Sequence, residues 1–151
     1  MIPPKVQAVL EANQLEALTF EPGSTPTSEM AAAKINCRVG QIAKSMLFKG
    51  KDGAFRLFVC PGDRRVDNKK LKNFIGIKAR MATAEETFAL TGFKPGAVCP
   101  FGIESINIYI DCGLCVYPVI YPAAGTDASG VPVTYQQLLK IVNASECDVM
   151  A

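Results

Sequence analysis

KSMLFKGKDGAFRLFVCPGD, residues 44–63, reads as two runs of aliphatic and aromatic residues on either side of Gly50-Lys51-Asp52-Gly53. Glycines bounding a short polar link between two such runs predict a β-hairpin, since the link must reverse the chain. The first arm reaches back into GQIAKSMLFKG, residues 40–50. Side chains alternate along an extended strand, which puts Ile42, Lys44, Met46 and Phe48 on one face. An ammonium group on an apolar face is costly unless its head reaches water or an anion. Lys44 therefore either snorkels at a sheet edge or meets something negative.

Helices are expected on both sides of this hairpin. Pro3 and Pro4 suit a first helical turn, and Val6, Val9 and Leu10 follow as an i, i+3, i+4 stripe. ALTF reads as a short strand and EPGSTPT as a turn-rich loop, after which Thr27 caps SEMAAAKI with Glu29 near its positive end. Asp67 caps NKKLKNFI, with Gly76 as terminator, and Thr83-Ala84-Glu85-Glu86 fits a capping box for a helix from Ala84 to Leu90 ending at Gly92. FKPGAVCPFG is too rich in proline and glycine to be regular. INIYID and LCVYPVIY read as strands, PAAGTDASG as a loop, and Thr134 with Gln137 as the cap of YQQLLKIV. Strands and helices intersperse without a strict βαβ rhythm, which predicts an α/β domain with helices packed on a mixed sheet. The 151 residues fit one such domain, with no repeat, linker or low-complexity tract to divide it.

Composition excludes several chemistries. The chain has no histidine, which removes Ser-His-Asp and Cys-His machinery, histidine metal ligands and the usual neutral-pH general base. A net charge of +2 announces no nucleic-acid partner by itself. Its distribution says more: Arg64, Arg65, Lys69, Lys70, Lys72, Lys78 and Arg80 face only Asp63 and Asp67 within residues 63–80, a local +5 that leaves −3 for the remainder. That run is either a solvated helix face or a phosphate-facing patch.

Six cysteines are present. MIPPKVQAVLEANQ has neither the apolar run nor the cleavage site of a secretory signal, and no stretch approaches the roughly 18 apolar residues of a membrane span. Reduced thiols in a cytoplasmic protein, with no membrane partner, are the expectation. Cys112-Gly-Leu-Cys115 is a lone C-x-x-C without a second pair at metal-site spacing. Buried inert thiols are the preferred reading there, and zinc or redox chemistry the rival.

Four segments in register, TSEMAAAKINCRVGQIAKSMLF, PGDRRVDNKKL, TGFKPGAVCPFG and IYID, resemble the YbaK/prolyl-tRNA synthetase-associated domain family of aminoacyl-tRNA editing domains. The resemblance runs from Phe20 to Val142. It implies a single compact α/β domain with a mixed, partly barrel-like sheet and surrounding helices. It further implies a free-standing deacylase acting in trans on mischarged aminoacyl-tRNA, with a small amino acid on proline tRNA as the family-weighted substrate. A synthetase is a further partner, and no cofactor or metal is expected.

The family lysine maps onto Lys44 and the G-x-x-x-P loop onto Gly96 to Pro100, making Lys44, Gly96 and Pro100 the candidate catalytic residues. Phe20, Ala97, Val98, Gly102 and Asp111 are candidates for substrate binding. Lys44, Arg64, Arg65, Lys69, Lys70 and Lys72 are candidates for binding tRNA. By pattern alone, Asp111 reads as a strand-end acid that hydrogen-bonds a turn, and Cys99 as a bystander without an activator. Where cysteine-specific members carry a serine and an aspartate, the matching places here are Ala123 and Pro132, which argues against attack by a substrate thiol. The missing histidine departs from alanine-specific members. A module of the same fold that holds tRNA or a synthetase without hydrolysis is the alternative function.

Overall fold

The computed structural model describes residues 1–151. In chain order the elements are α1 (Pro4–Ala12), β1 (Leu18–Thr19), α2 (Ser28–Ile35), β2 (Ile42–Gly50), β3 (Phe55–Pro61), α3 (Asn68–Ile75), β4 (Ala79–Met81), α4 (Ala84–Thr91), β5 (Asn107–Asp111), β6 (Tyr121–Pro122), β7 (Ser129–Gly130), α5 (Tyr135–Ile141) and β8 (Ser145–Cys147). Helix starts are set by local side chains: Thr27 accepts from the Met30 amide, Asp67 from Lys69 and Lys70, and Thr83 and Thr134 each close a full capping box. Glu86 closes the box at α4 and also meets Arg80 at 2.8 and 3.0 Å. The Arg80 guanidinium and the Thr83 amide hold its carboxyl down at about 2.

The hairpin organises the sheet. β2 and β3 pair antiparallel from Ala43↔Pro61 to Lys49↔Phe55, and β5 and then β8 add in parallel beyond β3. On its other edge β2 pairs with β6 at Ile42 and Ala43 and with β4 from Phe48 to Gly50. Lys44 to Met46 therefore have no ladder partner on that edge. The path β4-β2-β3-β5-β8 stays open. The expected mixed sheet is present, but it does not close into a barrel. A separate two-stranded ribbon joins β1 to β7.

Burial follows the alternation. Ala43, Leu47, Leu57, Val59, Ile108 and Ile110 face the main core beneath α1, α5 and the Phe93–Phe101 loop. On the opposite face Phe48, Phe58 and Cys60 pack under Leu71 of α3 and under Cys147, Val149 and Met150. Ile42 instead packs against Ala31 and Ala32 of α2. Lys44 shares a face with Ile42 and Phe48 yet is exposed, because it lies between the area covered by α2 and the area covered by α3. Its ammonium reaches solvent without crossing an apolar layer, which removes the cost anticipated from the sequence.

Two readings of the sequence are corrected. LCVYPVIY is not one strand: residues 112–116 form a 3-10 turn, and pairing is confined to an isolated bridge from Ile120 to Val133 and the short β6 at Tyr121 and Pro122. The turn begins where Asp111 accepts from the Gly113 amide at 2.8 Å, which bends the chain immediately after β5. β4, β7 and β8 also form where no strand was expected. Each is only two or three residues long and gains its order from a neighbouring strand.

Candidate active site

The unpaired edge of β2 opens into a cleft of about 280 Å³. One wall is the start of α2 (Thr27, Ser28, Glu29), preceded by Thr25 and Pro26. The floor is Ile42 to Ser45 with Gly62, and the far wall comes from Gly96, Val98, Tyr121, Ala123 and Ser129. Two glycines allow these walls to approach. A Cβ at Gly62 would lie 2.7 Å from Ser28 and 2.8 Å from the Val39 carbonyl. Gly96 has φ +82°, and a Cβ there would sit 3.1 Å from the Pro26 backbone.

Several residues that line this space carry unpartnered polar groups. The Ala97 amide is engaged by the Lys94 carbonyl at 3.0 Å, whereas the Gly96 and Val98 amides donate to no acceptor in the chain. The Ser28 and Glu29 amides, in the first turn of α2, also lack an acceptor. The cleft is thus bordered by backbone N–H groups from two segments and by the Lys44 ammonium. Lys44 lies opposite Cys60 in the ladder. Burial pushes the Cys60 thiol up to about 12, with Asp111 adding to the shift and Lys44 opposing it.

Of the residues singled out from the sequence, Lys44, Gly96 and Val98 line the cleft, as does Ala123. Ala97 and Pro100 are buried behind the loop, and Gly102 packs against Lys5. Phe20 is half-buried beside the β1–β7 ribbon, where its amide donates to Ala128. Asp111 lies outside the cleft and is 1 % exposed; its two carboxylate oxygens accept the Gly113 and Val149 amides, each at 2.8 Å. Cys99 is fully buried in the main core, and burial pushes its thiol up to about 12. Cys112 approaches Asp111 and Asp148, with the three potential ligand atoms within 4.8 Å of one another. Both Asp111 oxygens are already committed there to backbone amides.

The basic run divides in two. Arg64 donates to the Ala151 carbonyl, and Lys70 to Asp148 and the Met150 carbonyl, so both hold the final residues in place. Arg65 is exposed. Lys69 and Lys72 border a depression shared with Lys78 and Arg80, which Lys49 and Lys51 extend. β2 joins the two regions: the five steps from Lys44 to Lys49 span about 17 Å of strand. Sequence reasoning missed Thr25, Ser45, Tyr121 and Ser129. Ser45 alone left a signal there, as a polar residue at the inward parity between Ala43 and Leu47.

In a mixed-sheet α/β domain, a lysine and unpaired backbone amides at a strand-edge cleft are groups able to hold an anion. More specifically, the chain belongs to the aminoacyl-tRNA editing domain family, whose profile matches residues 22–141. It is 37% identical over 116 residues to the uncharacterised protein YwhH of Bacillus subtilis (strain 168), covering 76% of this chain and 74% of YwhH. It is also 37% identical over 100 residues to the proline–tRNA ligase of Thermosipho africanus (strain TCF52B), covering 64% of this chain but only 18% of the ligase. A crystal structure described as a candidate trans-editing enzyme for prolyl-tRNA synthetase superposes with a TM-score of 0.89 at 34% identity, over 100% of this chain and 99% of that one. No helix is long and apolar enough to cross a membrane.

Proposed function

We propose that the chain is a trans-acting deacylase in the cytoplasm, hydrolysing the ester that joins a small, wrongly attached amino acid to tRNA, with proline tRNA the first acceptor to test. The observation that carries this reading is the meeting of Lys44 with the unpaired Gly96 and Val98 amides at one small cleft, in a member of an editing family. Discrimination between amino acids differing by one methylene is worth only about 1–3 kcal/mol at a synthetase, so a second, hydrolytic site is needed for fidelity. Water attacks the ester carbonyl, the tetrahedral oxyanion is stabilised by the Gly96 and Val98 amides, and the acyl–oxygen bond to the ribose breaks with a proton returned to the ribose oxygen. Lys44 holds a phosphate of the tRNA 3′ end as a point charge. No side-chain general base is assigned.

A deacylation screen of alanyl-, seryl- and cysteinyl-tRNA on proline, threonine and cognate acceptors tests this reading. Loss of one mischarged species well above the uncatalysed rate is expected. Intact esters across the panel, with tRNA still bound, would identify a binding module that engages tRNA or a synthetase.

The depression at Lys69, Lys72 and Lys78 supplies the second contact with tRNA. Reversing these three lysines to glutamate is expected to weaken tRNA binding and to flatten the plot of log K against log salt, by about one unit for each phosphate no longer neutralised. Reversals at Arg64 and Lys70, which are tied to residues 148–151, should move that slope less. Equal slopes for wild type and the triple reversal would return the depression to ordinary surface.

A further inference from the structure

Ser45 is the one residue of the cleft with a side-chain oxygen that is both closed off from solvent and unpartnered. It is 9 % exposed, and its hydroxyl makes no hydrogen bond within the chain. Of the other buried hydroxyl residues at the cleft, Ser129 accepts from the Ala124 amide and from Thr126, Thr25 accepts from the Ser129 amide, and Ser28 has no partner in the chain but keeps its oxygen open to solvent. A buried hydroxyl left unpaired costs stability, and its retention calls for a function. Ser45 also stands where the fold would otherwise place an apolar residue, since Ala43 and Leu47 on the same face belong to the main core.

Neighbouring strand residues project to opposite faces, so Lys44 and Ser45 diverge. Only because β2 lacks an outer partner between Ala43 and Phe48 can one cleft reach both. A ligand spanning that edge has its anionic end at the exposed ammonium and its smallest end at the buried hydroxyl. In an aminoacyl-tRNA, the smallest end is the amino-acid side chain. The α-ammonium is better served by the exposed Glu29 carboxylate at the rim than by a neutral, inward hydroxyl.

We propose that Ser45 determines specificity by hydrogen-bonding the substrate's side chain, so that the site takes an aminoacyl group bearing a hydroxyl, as in serine, in preference to alanine. This inference rests on the deacylase reading for its substrate but concerns selection and not hydrolysis. Sites that pair a substrate hydroxyl discriminate strongly against the analogue lacking it, because the protein group is otherwise left unpaired.

The test compares wild type with Ser45→Ala and Ser45→Cys in two assays. The first is hydrolysis of seryl and alanyl esters on one tRNA. The second is binding of the non-hydrolysable 3′-seryl-amide and 3′-alanyl-amide of adenosine. Wild type is expected to prefer the seryl form at least about fivefold in both, with Ser45→Ala bringing the ratio to near one, as loss of a single neutral hydrogen bond predicts. The melting temperature of Ser45→Ala should equal or exceed that of wild type, because the substitution removes an unsatisfied polar group. A ratio unmoved by both substitutions, an alanyl preference in wild type, or binding of neither amide overturns the assignment. Ester hydrolysis with an unmoved ratio leaves the deacylase standing without Ser45 selection. Amide selectivity lost in Ser45→Ala, with no ester hydrolysed, leaves the selection standing and removes the deacylase.

Discussion

Lys44→Ala is expected to lower kcat/KM for deacylation at least about a hundredfold, comparable to removing one transition-state donor, without lowering the melting temperature. The expectation separates chemistry from folding because Lys44 is exposed and forms no ion pair within the chain. Its ammonium stabilises nothing internal that the substitution would strand. Lys44→Arg then distinguishes two roles. A guanidinium binds phosphate, so an anchoring role predicts recovery to within about tenfold of wild type. A proton-shuttling role predicts no recovery, since a guanidinium does not release its proton at neutral pH. Single-turnover rates on the most reactive ester of the panel, beside thermal melts of each variant, supply the comparison. Wild-type turnover by Lys44→Ala would take the residue out of the mechanism altogether.

The prominence of Lys44 in the sequence and its position in the fold have the same physical origin. Period-two alternation and a glycine-bounded link set the hairpin, and cap residues set the starts of four helices; these are local properties, and local properties are legible. What stayed hidden depends on long-range contacts. The two- and three-residue strands β4, β7 and β8 have no period of their own and exist because β2, β1 and β5 offer them an edge. Residues 112–116 carry strand-like composition, yet one carboxylate bonding the amide two residues on diverts them into a turn. The cleft shows the same division. Lys44 stands out from the strand alternation, but its role, like that of the Gly96 loop, came only through a family resemblance, whereas Thr25 and Ser129, 104 residues apart, meet through a hydrogen bond that no local pattern announces.

Asp111 carries the second large effect, and it concerns stability. Asp111→Ala is expected to destabilise the fold by about 3–5 kcal/mol, because two hydrogen bonds to a charged acceptor, worth roughly 1.5–3 kcal/mol each, disappear and one buried and one half-buried amide are left without partners. Those amides belong to Gly113, at the exit from β5, and to Val149, in the segment that covers Phe58 and Cys60. One carboxylate therefore locks the turn after β5 and fastens the chain after β8 over the sheet. For a domain of this size such a loss lowers the melting temperature by roughly 6–20 °C, readable in thermal melts and as a lower urea midpoint. Asp111→Asn keeps one acceptor oxygen and should fall between the two. The family resemblance placed Asp111 among the substrate contacts, while its position at a strand end favoured the turn-bonding reading. Deacylation per folded molecule decides between them. A destabilised variant with its rate intact fits an acid 1 % exposed and outside the cleft. A variant of wild-type stability that no longer hydrolyses ester would instead place this carboxylate in the chemistry, and would require the cleft to open toward β5 when substrate binds.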